Sequence, residues 1–120
     1  MRRITVTVQG EVFEATLADT EAARAFEERL PVTLDMSELN GNEKYAYLDE
    51  PLPMEPSRPG TIHAGDIMLF GDDCLVLFYE TFSSSYRYTR LGALDDAAGL
   101  AQAVGMGSVT VAWAPAQGAL

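Results

Sequence analysis

The feature that most constrains the fold is residues 65–91, GDIMLFGDDCLVLFYETFSSSYRYTRL, the most apolar and aromatic part of the sequence. The pattern predicts three consecutive strands: residues 67–70, residues 75–79, and a strand that carries Tyr86, Tyr88 and Arg90. A Gly-Asp-Asp turn separates the first two strands. Strands that are apolar on both faces are covered on both faces, so this stretch belongs at the centre of a closed or layered β structure.

The residues before this stretch predict a hairpin, a helix and two further strands. Apolar and polar residues alternate over residues 4–8 and 12–17, on either side of a Gln9-Gly10 turn. Asp19 or Thr20 is the expected N-cap of an amphipathic helix that ends before Pro31. Strands at residues 32–37 and 45–48 follow, and four prolines within residues 51–60 predict an extended surface loop.

The residues after this stretch predict a second helix and a last strand. Asp95 is the expected N-cap, apolar residues recur at helical spacing over residues 97–104, and Gly105 is the expected stop. Residues 109–113 alternate as a strand, and the tail at residues 115–120 has little to hold it in place. Eight short strands with two isolated helices predict a mainly β fold: a closed barrel with two capping helices.

Composition narrows the possible partners. The 120 residues suffice for one domain (residues 1–120, with an ordered core at about 3–114) that buries a core without cross-links. With Lys+Arg 8 against Asp+Glu 18, the net charge of -10 argues against nucleic acid and membrane surfaces as partners.

No stretch approaches the ~20 apolar residues of a membrane span, and we expect a soluble, cytoplasmic protein. The oligomeric state stays open, a homo-oligomer formed through an apolar face being one alternative.

Tyr86, Tyr88 and Arg90 fall on one face of the third predicted central strand. An aromatic pair beside a guanidinium suits stacking and bidentate hydrogen bonding to a peptide or a planar anion. The structural alternative is a Tyr–Tyr ladder with a surface arginine that balances nearby acids. The sequence does not decide between them.

No set of residues predicts covalent chemistry, a metal or a cofactor. The serines at residues 83–85 have only His63 to activate them and lack a Gly-x-Ser-x-Gly elbow, so a hydroxyl-rich loop is expected. His63 and Asp66 do not form a zinc spacing, and His63 is interpreted as a turn residue. Cys74, the single cysteine, is expected to be a buried structural thiol. The acidic pairs at residues 72–73 and 95–96 are interpreted as a turn and a helix cap.

The order of elements resembles that of the small bacterial cyclophilin-like proteins. The resemblance rests on several segments: GDIMLFG at 65–71, LVLFY at 75–79, SSSYRY at 83–88, TRLG at 89–92, Leu30-Pro31, Glu43-Lys44-Tyr45 and LAQAVG at 100–105. It extends over about residues 3–114. The resemblance implies a cyclophilin-type barrel of eight strands with two capping helices.

The resemblance does not imply catalysis. True cyclophilins are peptidyl-prolyl isomerases with a Phe-His-Arg strand and a Phe-x-x-Gln-Gly-Gly loop, and the arginine polarises the proline amide. Here the only arginine between residues 32 and 60 is Arg58, inside the proline-rich loop, and Gln-Gly-Gly is absent. The strand that would hold the catalytic arginine reads EKYAY at residues 43–47.

By the same resemblance, Glu43, Tyr45 and Tyr47 face the groove bordered by Tyr86 and Tyr88, a surface strand of mixed charge being the alternative. We therefore expect a binding module that holds a peptide or small molecule in a groove, with no catalytic residue. The alternative is a weak prolyl isomerase in which an apolar groove desolvates the X–Pro bond.

Overall fold

A computed structural model describes residues 2–116, which form ten strands and two helices. The strands are β1 (Arg3–Val8), β2 (Glu11–Leu17), β3 (Val32–Leu39), β4 (Glu43–Tyr47), β5 (Gly60–Ile62), β6 (Asp66–Phe70), β7 (Cys74–Phe78), β8 (Phe82–Ser84), β9 (Thr89–Leu94) and β10 (Val109–Pro115). The helices are α1 (Glu21–Glu27) and α2 (Leu100–Val104). Neither helix is long or apolar enough to cross a membrane.

Eight of these strands close into an antiparallel barrel in the order β1-β10-β3-β4-β7-β6-β9-β2. The predicted mainly β fold with a closed eight-stranded barrel is confirmed. β5 and β8 pair with each other outside the barrel. Sequence reasoning missed this pair because strands of three residues are too short to show a period. The hydroxyl-rich loop expected at residues 83–85 is therefore wrong in part, because Ser83 lies within β8.

The barrel encloses one apolar cluster to which both helices contribute. Thr20 is the N-cap of α1, because its Oγ1 accepts a hydrogen bond from the Ala23 backbone N–H at 3.1 Å. α1 buries Phe26 edge-to-face against Trp113, with ring centroids 5.7 Å apart. Burial of two large aromatic side chains stabilises the barrel by several kcal/mol on the scale of about 25 cal/mol per Å² of apolar surface. The first helix is as predicted.

The second helix is shorter than predicted, and Asp95 is not its N-cap. α2 begins at Leu100 with Gly99 at the N-cap position, where φ is 83°. Asp96 Oδ1 instead accepts from the Ala98 N–H at 2.9 Å, and this local turn competes with an earlier helical start. The Asp95 carboxylate accepts a hydrogen bond from Thr16 Oγ1 at 2.7 Å and pairs with Arg3. Asp95, which directly follows β9, therefore links this strand end to β1 and β2.

The third central strand lies later in the chain than predicted. β9 begins at Thr89, whereas Tyr88 forms an isolated antiparallel bridge with Ser57. The Tyr86 N–H donates to Ser84 Oγ at 3.2 Å, so the hydroxyl run turns the chain before the strand begins. The register between β6 and β9 also shifts at Ile67 and Met68. Tyr86 and Tyr88 consequently lie on a connecting segment in front of the barrel wall.

The last strand extends further than predicted. β10 runs to Pro115, which is opposite Ile4, and the Ala116 N–H donates to the Arg3 carbonyl at 3.1 Å. The first two residues of the predicted loose tail are therefore held by β1. The rest of that tail lies outside the described residues.

β6 and β7 are buried on both faces, as their composition predicted. Their inner side chains belong to the barrel cluster, and their outer side chains form a second apolar cluster with residues from outside the wall. The second cluster contains Ile62, Met68, Cys74, Val76, Phe78 and Tyr88. Together with Phe82, which packs against them, these residues place β5, β8 and the segment before β9 over the outer face of the wall.

Candidate binding cleft

The candidate site lies on the outer face of the barrel, where β4, β7 and β6 are neighbours. Tyr45 is opposite Val76, which is opposite Met68. Because alternate residues of a strand point to the same side of a sheet, Glu43 and Tyr47 share the outer face with Tyr45. Strand pairing therefore brings these three β4 side chains beside the second apolar cluster.

Six aromatic side chains line a cleft of about 340 Å³ on this face. They are Tyr45, Tyr47, Phe70, Phe82, Tyr86 and Tyr88. Five of these rings pack within two groups, since centroid separations are 5.9 Å for Tyr45–Tyr47, 6.1 Å for Phe70–Tyr86 and 5.7 Å for Phe70–Tyr88. Phe70, Tyr47 and Tyr86 are exposed to solvent at 47%, 67% and 64%. The volume lies in the range of small-molecule sites.

Glu43 is the one ionisable carboxylate of the cleft lining, and it is only 7% exposed. Within residues 2–116 its carboxylate accepts no side-chain hydrogen bond and forms no ion pair. Burial, with a smaller contribution from the negative charge of Glu38, raises the pKa of Glu43 from 4.5 to about 7. Near neutral pH the cleft therefore holds a carboxyl group that is only partly ionised.

Lys44 does not neutralise Glu43, because it points to the other side of β4. Its side chain is fully buried, lies 2.9 Å from Glu38 Oε1 and donates to the carbonyls of Gly105 and Gly107. Its Nζ is also 5.4 Å from the centre of the Tyr79 ring. The alternative of a surface strand of mixed charge is therefore wrong for Glu43 and Lys44, which are both buried.

Two further polar groups lie in the cleft. Asn42 Oδ1 is buried and has no hydrogen-bond partner in the part of the chain that the structure describes. The Cys74 thiol is buried, as expected, and burial raises the pKa of Cys74 to about 11. It is therefore protonated at neutral pH and is not an activated nucleophile.

Arg90 lies apart from the other predicted site residues. It lines a second cavity of about 380 Å³ with His63 and Asp66, and its Nη1 is 3.5 Å from Asp66 Oδ1. Tyr88 lines both cavities and therefore separates them. Of the six predicted ligand-binding residues, the structure brings five together, Glu43, Tyr45, Tyr47, Tyr86 and Tyr88, and leaves Arg90 beyond the Tyr88 ring.

His63 belongs to a turn. Its backbone N–H donates to Asp66 Oδ2 at 2.9 Å, whereas its Nδ1 is 4.0 Å from the same oxygen. Across the described residues no group of three or more His, Cys, Asp or Glu side chains is arranged to hold a metal ion.

Sequence reasoning missed several lining residues, notably Asn42, Phe70 and Phe82. Phe70 ends β6, and a strand that is apolar on both faces implies some outward apolar side chains, but not that they line a cleft. Asn42 lies in the turn before β4, and Phe82 lies in β8, which the sequence pattern does not predict. No local signal in the sequence places these residues in a common site.

The comparisons with known proteins agree with this architecture. A model of a family described as the cyclophilin-like family matches residues 6–114. The fold is also similar to the solution structure of a hypothetical protein from Archaeoglobus fulgidus, with a TM-score of 0.68 and 18% identity, covering 96% of this chain and 95% of that one. A search of curated proteins gave no match. On the family match over most of its length, the chain belongs to the cyclophilin-like family.

Proposed function

We propose that the aromatic cleft binds a small molecule or a peptide segment without covalent chemistry. The observation that carries the proposal is a cleft that six aromatic side chains line together with the buried, unpaired Glu43. Concave sites of this size with a few polar groups among apolar ones are typical of ligand pockets.

The energetics of the cleft support the proposal. Solvent-exposed aromatic side chains and a buried carboxyl group without a partner both oppose the stability of the free protein. A ligand that covers Tyr47, Phe70 and Tyr86 removes their apolar surface from water. These residues therefore make the ligand-free cleft less stable than the occupied cleft, which favours binding.

Titration of metabolite and peptide libraries, followed by thermal unfolding and by amide NMR shifts, tests the proposal. We expect ligands that raise the unfolding temperature to shift the amides of residues 43–47 and 86–88. Tyr86→Ala should weaken their binding, whereas Val12→Ala on the exposed face of β2 should not. Binding that shifts amides elsewhere, or no stabilising ligand at all, would contradict the proposal.

Weak prolyl isomerase activity is the second candidate. Arg90 lies on the same outer face as the cleft, opposite Met68 across the β6–β9 pair, with Tyr88 between them. A guanidinium beside an apolar groove is the minimum that polarisation of a proline amide requires. Its pairing with the buried Asp66 holds it away from the cleft.

A protease-coupled isomerisation assay on an Ala-Pro peptide separates the two candidates. We expect a rate equal to the uncatalysed background at high protein concentration. Acceleration that Arg90→Ala abolishes would favour the isomerase.

We also propose that the protein is cytoplasmic and that it has no nucleic-acid or membrane partners, and the net charge of -10 supports the second of these statements. Cell fractionation and binding to immobilised DNA would test both statements.

A further inference from the structure

We propose that the ligand of the cleft is an organic cation, an ammonium or guanidinium carried on an apolar body. In this arrangement the Glu43 carboxylate and the Asn42 amide oxygen accept its hydrogen bonds, and the surrounding tyrosine rings cover its apolar part. This inference rests on the proposed function, since it names the chemistry of the ligand that the cleft would hold.

Glu43 lacks a partner for its negative charge. The carboxylate of a residue that is only 7% exposed is normally paired or hydrogen-bonded, yet within residues 2–116 the Glu43 carboxylate has neither kind of partner, and its oxygens retain contact with solvent. The titratable groups that affect it or are affected by it are Glu38, Cys74, Tyr79 and Tyr88, and all of these are neutral or negative. A cationic ligand would supply the positive charge that these surroundings lack.

The cations nearest to the cleft are already paired with other groups. Lys44 follows Glu43 directly, but its Nζ is fully engaged on the opposite face by Glu38 and by the carbonyls of Gly105 and Gly107. Arg90 is held by Asp66 beyond Tyr88. The cleft lining among the described residues includes no lysine, arginine or histidine, so an anionic ligand would meet Glu43 without a counter-charge.

Asn42 supplies another acceptor to the same cleft. Its Oδ1 is buried and has no donor in the described part of the chain. An ammonium has three donors and no acceptor, and therefore matches a cleft lined by the Asn42 and Glu43 acceptors. A neutral apolar ligand would cover both acceptors without offering a donor to either, at a cost of about 1–3 kcal/mol each.

The aromatic rings of the cleft also favour a cation. Aromatic faces carry partial negative charge and attract cations within about 6 Å of the ring centre. Six rings line the same cleft as Glu43, and three of them are exposed to solvent, namely those of Tyr47, Phe70 and Tyr86. The other three rings belong to Tyr45, Phe82 and Tyr88. The net charge of -10 also raises the local concentration of cations.

Two matched pairs of probes test the inference. Phenethyl alcohol carries a neutral hydroxyl where phenethylamine carries an ammonium. The blocked tripeptide acetyl-Ala-norleucine-Ala-amide lacks the ammonium that acetyl-Ala-Lys-Ala-amide carries. Affinities are measured by NMR titration of the full chain at about pH 8, where Glu43 is ionised and the amines remain protonated. We expect the cation of at least one pair to bind about tenfold or more tightly than its neutral partner. The pair with the higher affinity identifies the source, a free amine or a lysine side chain.

Variants assign the selectivity to the cleft. Glu43→Gln should reduce the ratio within the pair to about twofold or less, and Glu11→Gln, an exposed change at the start of β2, should leave it unchanged. Tyr86→Ala, at a side chain that is 64% exposed and so tolerates truncation, should weaken the cation as well. Between about pH 5.5 and about pH 8 the affinity of the cation should rise as Glu43 ionises, while that of the neutral probe stays level.

The two proposals fail in different ways. Equal binding of charged and neutral probes in the cleft, unaffected by Glu43→Gln, would overturn the cation inference and leave the binding function standing. No saturable binding of any probe at millimolar concentration would contradict the proposed function and the inference together.

Discussion

At the scale of single residues, Glu43 is the side chain whose chemistry departs furthest from its ordinary behaviour. Its pKa of about 7 means that between pH 4.5 and about pH 7 the folded protein binds more protons than the unfolded chain. The contribution of Glu43 to the free energy of unfolding therefore falls as pH rises through this window. Above about pH 7 the full cost of the buried carboxylate is present, and below pH 4.5 it is absent.

Glu43→Gln is expected to raise the free energy of unfolding at about pH 8 by about 1–3 kcal/mol, because a neutral amide replaces a buried charge. At about pH 4 the variant and the parent should be equally stable. Urea unfolding at both pH values measures the difference. The exposed Glu11→Gln should show no such pH dependence, and a Glu43→Gln variant that is destabilised at about pH 8 would contradict the argument.

Lys44 is the opposite case, a buried charge with all its partners. Lys44→Met is expected to lower the free energy of unfolding by about 2–4 kcal/mol, because Glu38 loses its 2.9 Å partner and the carbonyls of Gly105 and Gly107 lose their donor. Urea unfolding measures the loss. The double variant Lys44→Met with Glu38→Gln should recover part of it. A single variant as stable as the parent would show that the pair contributes nothing.

Whether the sequence predicts the position of a site residue depends on how much of its environment comes from distant parts of the chain. The sequence groups four tyrosines through a family resemblance that places two segments at one groove, namely Tyr45, Tyr47, Tyr86 and Tyr88. The buried state of Glu43 could not be predicted, because adjacent charged residues in a strand normally indicate a solvated surface. The burial of Glu43 depends on the packing of β4 against β7 and on the residues that cover the outer face of these strands.

At the scale of elements, β9 approaches β2 so closely that position 92 accommodates only a glycine without a shift of the backbone. A Cβ on Gly92 would overlap the Thr16 carbonyl oxygen and lie 3.0 Å from Leu17 Cα, both of which belong to the backbone of the paired strand. The neighbouring strand would have to move to admit a methyl group.

Gly92→Ala is therefore expected to destabilise the protein by about 2–4 kcal/mol through displacement of β2 from β9. Thermal and urea unfolding measure the effect. Gly107→Ala is the matched control, because no atom lies within 4 Å of its Cβ position, and it should be close to neutral. Similar losses for both variants would mean that strand separation is not the cause.

The elements that were predicted well are those with long, clean periods, such as β1, β2 and α1. The errors lie where short-range polar contacts compete with the period. The Asp96 side chain accepts a local backbone hydrogen bond that forms a turn, so α2 begins only at Leu100. The Ser84 side chain forms a similar turn, so β9 begins only at Thr89. Both contacts depend on side-chain geometry that a periodic pattern does not contain.

At the scale of the whole molecule, the closed barrel was predictable because β6 and β7 are apolar on both faces and need cover on both sides. The position of the cleft was not. It depends on β5, β8 and the segment before β9 covering only part of the outer face, which leaves Phe70 and Tyr47 exposed.

The net charge of -10 is also a property of the whole molecule. Self-repulsion among the acidic groups opposes the compact state and is screened by salt. We therefore expect the unfolding temperature to rise by about 3 °C or more between about 20 mM and about 300 mM NaCl at neutral pH. Differential scanning calorimetry measures the shift. A fall with added salt would mean that attractive pairs such as Arg2–Glu27 outweigh the repulsion.

Lys44 is the only lysine in the sequence, and its side chain is fully buried. Amine-acylating reagents can reach its Nζ only after β4 has separated from the loop after α2. The rate of Lys44 acylation, read by peptide mass spectrometry, should therefore report how often this end of the barrel opens, and Glu38→Gln should increase it. Acylation as fast as that of a free lysine derivative would show that the barrel end is open. The burial of one amine thus makes the protein a chemical reporter of its own local opening.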